Sequence, residues 1–115
     1  MIPGDSLTRI FNLMIRQPEF VTTELFQEAL ERTKQKKPHE LLDKVKFAAL
    51  AEGKCVQMMH LGRYDDEPES FRQMEIFCEA NNLIRKTQQH REIYLSDARK
   101  VSPEKLKTVL RFQVK

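Results

Sequence analysis

The chain has 115 residues, of which 40% are hydrophobic and 32% are charged, and its net charge is +3. This balance excludes intrinsic disorder and indicates one soluble domain with a modest core. No apolar run approaches the roughly 20 residues that a membrane-spanning helix needs, and residues 1–5 (MIPGD) lack the basic and apolar regions of a signal peptide. We therefore expect a cytoplasmic protein without a membrane partner. The lysines and arginines are scattered, so the charge does not predict direct nucleic-acid binding.

The first third of the chain predicts a strand followed by a helix. Residues 10–15 (IFNLMI) alternate apolar side chains and precede Pro18, which indicates a short strand. Thr22 or Thr23 can cap a helix that extends to about Gln35, because a threonine oxygen accepts a free backbone N–H at a helix start. The helix carries an apolar stripe at spacings of three and four residues, formed by Leu25, Phe26, Ala29, Leu30 and Thr33.

The middle of the chain predicts a hairpin and a second helix. Residues 45–50 and 55–61 flank a Glu52-Gly53 turn, a pattern typical of a β-hairpin. Asp66 and Glu69 have the spacing of a capping box, so the helix is expected to begin at Asp66 and to end at Asn81-Asn82. The predicted buried stripe of this helix is Phe71, Met74, Phe77 and Cys78.

The segment that follows His90 predicts a strand in which alternate side chains share a face. His90, Glu92 and Tyr94 point one way, whereas Ile93 and Leu95 point the other way. We expect Ile93 and Leu95 to pack beneath the helix, which would leave Glu92 and Tyr94 on the opposite face. With a final strand at residues 110–114, the order predicts an α+β fold whose antiparallel sheet carries helices on one face.

Few side chains in the sequence are candidates for catalysis or ligand binding. A carboxylate such as Glu92 in an apolar hollow could act as an acid or base, or pair with a cationic ligand. Tyr94 could donate a hydrogen bond or stack, and Tyr64 and His60 could reach the same hollow. An ordinary exposed strand face is the alternative. No nucleotide loop, nucleophile elbow or metal-ligand spacing is present, so we predict no cofactor and no metal.

Four segments together form a specific pattern: residues 55–62 (CVQMMHLG), 64–68 (YDDEP), 92–97 (EIYLSD) and 103–108 (PEKLKT). In these segments the chain resembles the GyrI-like family of small-molecule-binding proteins. It is most similar to the free-standing branch, which includes hydrolases that open the cyclopropane ring of DNA-alkylating antibiotics. The resemblance covers most of the chain.

The resemblance implies a fold and a site. Family members carry two β-α-β-β modules related by a pseudo-two-fold axis, with the ligand cleft between them. The strand glutamate at the cleft floor corresponds to Glu92, which would bind cations in the effector-binding relatives and act with Tyr94 as the catalytic pair in the hydrolases. Tyr94, Tyr64 and His60 would line the cleft with Glu92.

The resemblance also implies that most of the first module is missing. We interpret residues 1–115 as a single truncated domain in which residues 1–40 are a remnant, with a strand and a helix, and residues 44–115 are a complete second module. Three functions remain open: multidrug-type binding of hydrophobic or cationic compounds, cyclopropane-ring hydrolysis, and self-association without a ligand. Because half of the cleft wall is absent, we expect a homodimer.

Overall fold

The computed structural model describes residues 10–115, which fall into two compact units, the first ending at Ala49 and the second comprising Leu50–Lys115. The first unit carries helix α1 (Thr23–Lys36) and a 3-10 turn at Glu40–Lys44. The second unit follows the order β-α-β-β, with β1 (Cys55–Leu61), α2 (Glu67–Ala80), β2 (Arg91–Tyr94) and β3 (Lys107–Gln113). Helices and an antiparallel sheet confirm the predicted α+β class.

The first unit forms its helix as predicted but not its strand. The Thr22 side chain accepts the backbone N–H of Leu25 at 3.1 Å, and Phe26 stacks on Phe47 with ring centroids 5.5 Å apart. The predicted strand at residues 10–15 is wrong, because these residues make no backbone ladder with another described segment. A strand without such a ladder leaves its N–H and C=O groups to solvent.

The sheet of the second unit has the order β1-β3-β2, and both pairings are antiparallel. The predicted hairpin between residues 45–50 and β1 is wrong, since residues 45–50 form no strand. β1 pairs with β3 instead, which sets Val56 opposite Phe112 and Met58 opposite Leu110. This pairing buries apolar side chains against α2, and such packing outweighs the local turn signal at Glu52-Gly53.

Helix α2 begins and ends by different means. Asp66 is the N-cap residue, but its side chain makes no capping bond, so the predicted capping box is wrong. A 3-10 turn at Tyr64–Asp66 leads into the helix, and the Asp66 N–H already bonds to the Arg63 carbonyl at 3.1 Å. At the other end Asn82 has a φ of 57°, the left-handed conformation expected of asparagine after a helix.

The core of the second unit lies between α2 and the β1 and β3 strands. Its buried apolar members are Val56, Met74, Cys78, Leu110, Phe112 and Val114. Two predicted core residues are more than half exposed, Phe77 at 52% and Leu95 at 55%. Phe77 lies to one side because α2 turns Ser70, Met74 and Cys78 towards the sheet at a spacing of four residues.

Candidate functional site

The register of β2 decides where Glu92 lies. Glu92 is opposite Leu110 and Tyr94 is opposite Thr108, and directly opposed residues of an antiparallel pair share a face. Leu110 and Thr108 are both buried, on the side of the sheet that packs against α2. The expectation that Glu92 and Tyr94 lie on the face opposite the helix, with Ile93 and Leu95 beneath the helix, is therefore wrong. The alternation along β2 was assigned correctly, but its two faces were exchanged.

The Glu92 carboxylate is held by two hydrogen-bond donors. His90 Nε2 lies 2.8 Å from Glu92 Oε2, and the Tyr94 hydroxyl donates to Glu92 Oε1 at 3.2 Å. The Glu92 side chain is 25% exposed. Within residues 10–115 no lysine or arginine forms a salt bridge with it, so its charge has no permanent internal counter-ion.

Two tyrosine rings lie beside this carboxylate. Tyr64 and Tyr94 meet edge to face with centroids 5.8 Å apart, an arrangement favoured by the quadrupoles of aromatic rings. Burial, followed by the negative charge of Glu92 and its hydrogen bond, raises the pKa of Tyr94 to about 12. Tyr94 therefore stays a neutral hydrogen-bond donor across the physiological range.

Glu67 is a second carboxylate near this tyrosine, and the sequence analysis missed it. Glu67 is the first residue of α2 and is only 8% exposed. Its negative charge also contributes to the raised pKa of Tyr94. The sequence presented Glu67 as an ordinary acidic residue in the first turn of a helix, and no local signal marks it as buried.

His60 occupies the buried end of the same sheet face. It is 3% exposed. Thr108 on β3 lies opposite both His60 on β1 and Tyr94 on β2, so the three residues share one face. His60 Nε2 donates to the Arg63 carbonyl at 2.6 Å, because a carbonyl oxygen can only accept, and its Nδ1 lies 2.7 Å from Ser70 Oγ. Both ring nitrogens are thus engaged in holding the turn after β1 against α2.

The loop before β2 positions His90. The Arg85 guanidinium lies 4.3 Å from the centroid of the Phe112 ring and donates to the carbonyls of Thr87 at 2.8 Å and Gln88 at 2.9 Å. The rings of His90 and of Phe71 on α2 meet edge to face at a centroid distance of 4.7 Å. These contacts connect His90 to the core, which fixes the donor that reaches Glu92.

The face of the sheet opposite α2 carries a different charged cluster. Glu52 Oε1 accepts from Arg91 Nη1 at 2.7 Å and from Arg111 Nη1 at 2.9 Å, and the Glu52 carbonyl accepts from the Gln113 amide at 2.7 Å. The cluster ties the segment before β1 to β2 and β3. Two permanent cations therefore pair with the Glu52 carboxylate.

A separate hollow of about 430 Å³ lies between β1 and α2, where Met58, Met74 and Phe77 form part of its wall. It contains none of the predicted site residues. Among the described residues no group of three histidine, cysteine or acidic side chains could hold a metal ion. The helices described here are also too short or too polar to span a bilayer.

The GyrI-like small molecule binding domain matches residues 8–115 of the chain. This chain belongs to the GyrI-like family. A search of curated proteins found no match.

Solved structures from Listeria innocua share the fold. An uncharacterised conserved protein is 45% identical with a TM-score of 0.81, and the match covers 87% of this chain and 50% of that one. A structure described as a hydrolase is 43% identical with a TM-score of 0.77, and the match covers 87% of this chain and 52% of that one. The GyrI-like chain described here thus spans about half the length of these relatives.

Proposed function

We propose that this GyrI-like protein binds hydrophobic organic cations in a cleft whose floor carries Glu92. The observation that carries the proposal is a partly buried carboxylate held by His90 and Tyr94, neither of which is a permanent cation. An anionic group in such a setting gains most from a ligand that brings the missing positive charge. The Tyr64 and Tyr94 rings offer faces for cation–π contact with the same ligand.

A matched pair of probes tests this proposal. Benzyltrimethylammonium and neopentylbenzene have the same shape, and only the first is charged. We expect the cation to raise the melting temperature of the protein and the neutral probe to have a much smaller effect. Glu92→Gln should keep the fold yet weaken cation binding by more than about tenfold, or about 1.4 kcal/mol. Equal binding of both probes, or an unchanged affinity in the variant, would contradict the cation site.

A second candidate function is hydrolysis of a strained ring, which is favoured by the hydrolase relatives at 43% identity. Glu92 would take a proton from water while the water oxygen bonds to a cyclopropane carbon. The strained carbon–carbon bond breaks, and the proton held by Glu92 is delivered to the fragment that leaves with the electron pair. Tyr94 would orient the substrate by donating its hydroxyl proton in a hydrogen bond.

Turnover separates the two candidate functions. A cyclopropane-bearing alkylator incubated with the protein should gain the mass of one water molecule, and Glu92→Gln should abolish that product. Binding without a mass change supports the ligand-binding function alone. If the wild type neither binds nor converts any such compound, the proposed site at Glu92 is wrong. The third function, self-association without a ligand, is then favoured.

We further propose that residues 44–115 act as one complete module, that residues 1–40 are the remnant of another, and that a second copy completes the cleft. β2 is an edge strand among the described residues, and Tyr94 on it is 58% exposed. Sedimentation should show a dimer at micromolar concentration, and a monomer there would contradict the proposal.

A further inference from the structure

We infer that His90 is a positioning residue which sets the geometry and the net charge of the Glu92 site, and thereby controls the binding of organic cations. The inference rests on the proposed ligand-binding function and adds a selectivity device to it. Its basis is a chain of hydrogen bonds in which His90 and Tyr94 both bond to the Glu92 carboxylate. Glu92 and Tyr94 lie on β2, and His90 is the last residue of the loop before it.

The His90 contact helps to fix the orientation of the Glu92 carboxylate. An ionised carboxylate only accepts hydrogen bonds, so the 2.8 Å contact requires a proton on His90 Nε2. The Tyr94 hydroxyl donates to the other carboxylate oxygen at 3.2 Å. Glu92 is therefore held from both sides, and rotation of its carboxylate requires one of the two bonds to break. The imidazole is itself held by the Phe71 ring and by the loop whose carbonyls bind Arg85.

Charge follows from the same contact. A neutral His90 leaves the pair with the single negative charge of Glu92, whereas a protonated His90 brings the pair to zero. Among the described residues, the other titratable or charged groups around the pair come from β2, α2, the turn before α2 and the loop before β2: Tyr94, Glu67, Glu75, Tyr64 and Arg85. Tyr94 has a pKa of about 12 and stays neutral at physiological pH.

A protonated His90 would compete with the ligand. It would occupy Glu92 as an internal cation and repel a second positive charge at close range. Two unit charges at about 4 Å interact by several times the thermal energy near a protein surface, which is enough to change an affinity more than tenfold. Acidification favours the protonated form of a histidine, so cation binding should weaken as the pH falls.

The experiment measures the dissociation constant of benzyltrimethylammonium by calorimetry at pH 7.5 and at pH 5.5. The probe has a permanent charge, so any pH dependence comes from the protein. His90→Gln retains an N–H donor for Glu92 but cannot titrate. His39→Gln removes an exposed histidine from the other unit and is the matched control. Glu92→Gln identifies binding at the proposed site.

We expect wild type and His39→Gln to lose more than about tenfold in affinity on acidification. His90→Gln should change by less than about threefold. Wild-type binding that depends on Glu92 but does not vary with pH would overturn the role of His90 and leave the proposed function intact. An identical pH profile in wild type and His90→Gln would do the same. A wild type that binds no cation at either pH overturns both proposals.

Discussion

Two glutamates of similar exposure lie on opposite faces of the same sheet and have different partners. The Glu52 side chain is 20% exposed and that of Glu92 is 25% exposed. Glu52 accepts hydrogen bonds from two arginines on the face opposite α2, whereas Glu92 accepts from a histidine and a tyrosine on the α2 side. Burial alone therefore does not distinguish a carboxylate that ties the fold together from the one proposed to bind a ligand. The distinguishing property is whether the protein itself supplies a permanent positive charge.

The largest expected effect concerns the two faces of β3. Leu110 is fully buried against α2, and its neighbour Val109 points to the opposite face of the sheet and is only partly buried. Leu110→Ala should lower the free energy of unfolding by about 2–5 kcal/mol, through lost transfer energy and a residual cavity. Val109→Ala should cost less than about 1.5 kcal/mol. Urea denaturation of both variants measures the difference, and similar losses would mean that both faces are covered in solution.

The next expected effect concerns Glu52. Glu52→Gln removes the charge between Arg91 and Arg111 and should destabilise the protein by about 1–2 kcal/mol, because two charge-assisted hydrogen bonds weaken in a partly exposed setting. Glu92→Gln is its matched counterpart and should leave the free energy of unfolding within about 0.5 kcal/mol of wild type. Denaturation curves for the pair test whether the glutamates differ in role. A larger loss of stability in Glu92→Gln would reverse the comparison.

The smallest expected effect lies at alkaline pH. The pKa of Tyr94 is raised from 10.0 to about 12 in the folded protein, so the folded state keeps a proton that the unfolded chain releases above pH 10. The contribution of Tyr94 to stability is therefore complete below pH 10 and is lost as the pH rises towards 12. The melting temperature of the wild type should fall over this pH interval more steeply than that of Tyr94→Phe. If the melting temperatures of the two proteins fell in parallel with pH, the raised pKa of Tyr94 would be contradicted.

Local features of the sequence were sufficient for part of this structure. Thr22 capped its helix and Asn82 ended the other, because each acts on backbone groups within a few residues. The alternation that set Glu92 and Tyr94 on one face was also correct. Which face that is depends on the pairing of β2 with β3, where Leu110 and Thr108 fix the register. No pattern within β2 contains that information.

Long-range partners explain the remaining differences. Glu52 and Arg111 are separated by 59 positions, so their ion pair has no local signature. The hairpin prediction failed for the same reason, since β1 joins the distant β3 rather than the adjacent residues 45–50. Glu67 was missed because nothing in the sequence around it shows that it is buried or that its charge acts on the distant Tyr94.

The Arg85 contacts have a thermodynamic consequence for recognition. This side chain binds two carbonyls of its own loop and lies over the ring of Phe112, in the central strand. Residues 85–88 thus lose their conformational entropy when the domain folds. A ligand that binds Glu92 as proposed would then meet a preformed surface and bear little ordering cost. Association should accordingly be fast for a small molecule, with affinity differences between ligands expressed mainly in their dissociation rates.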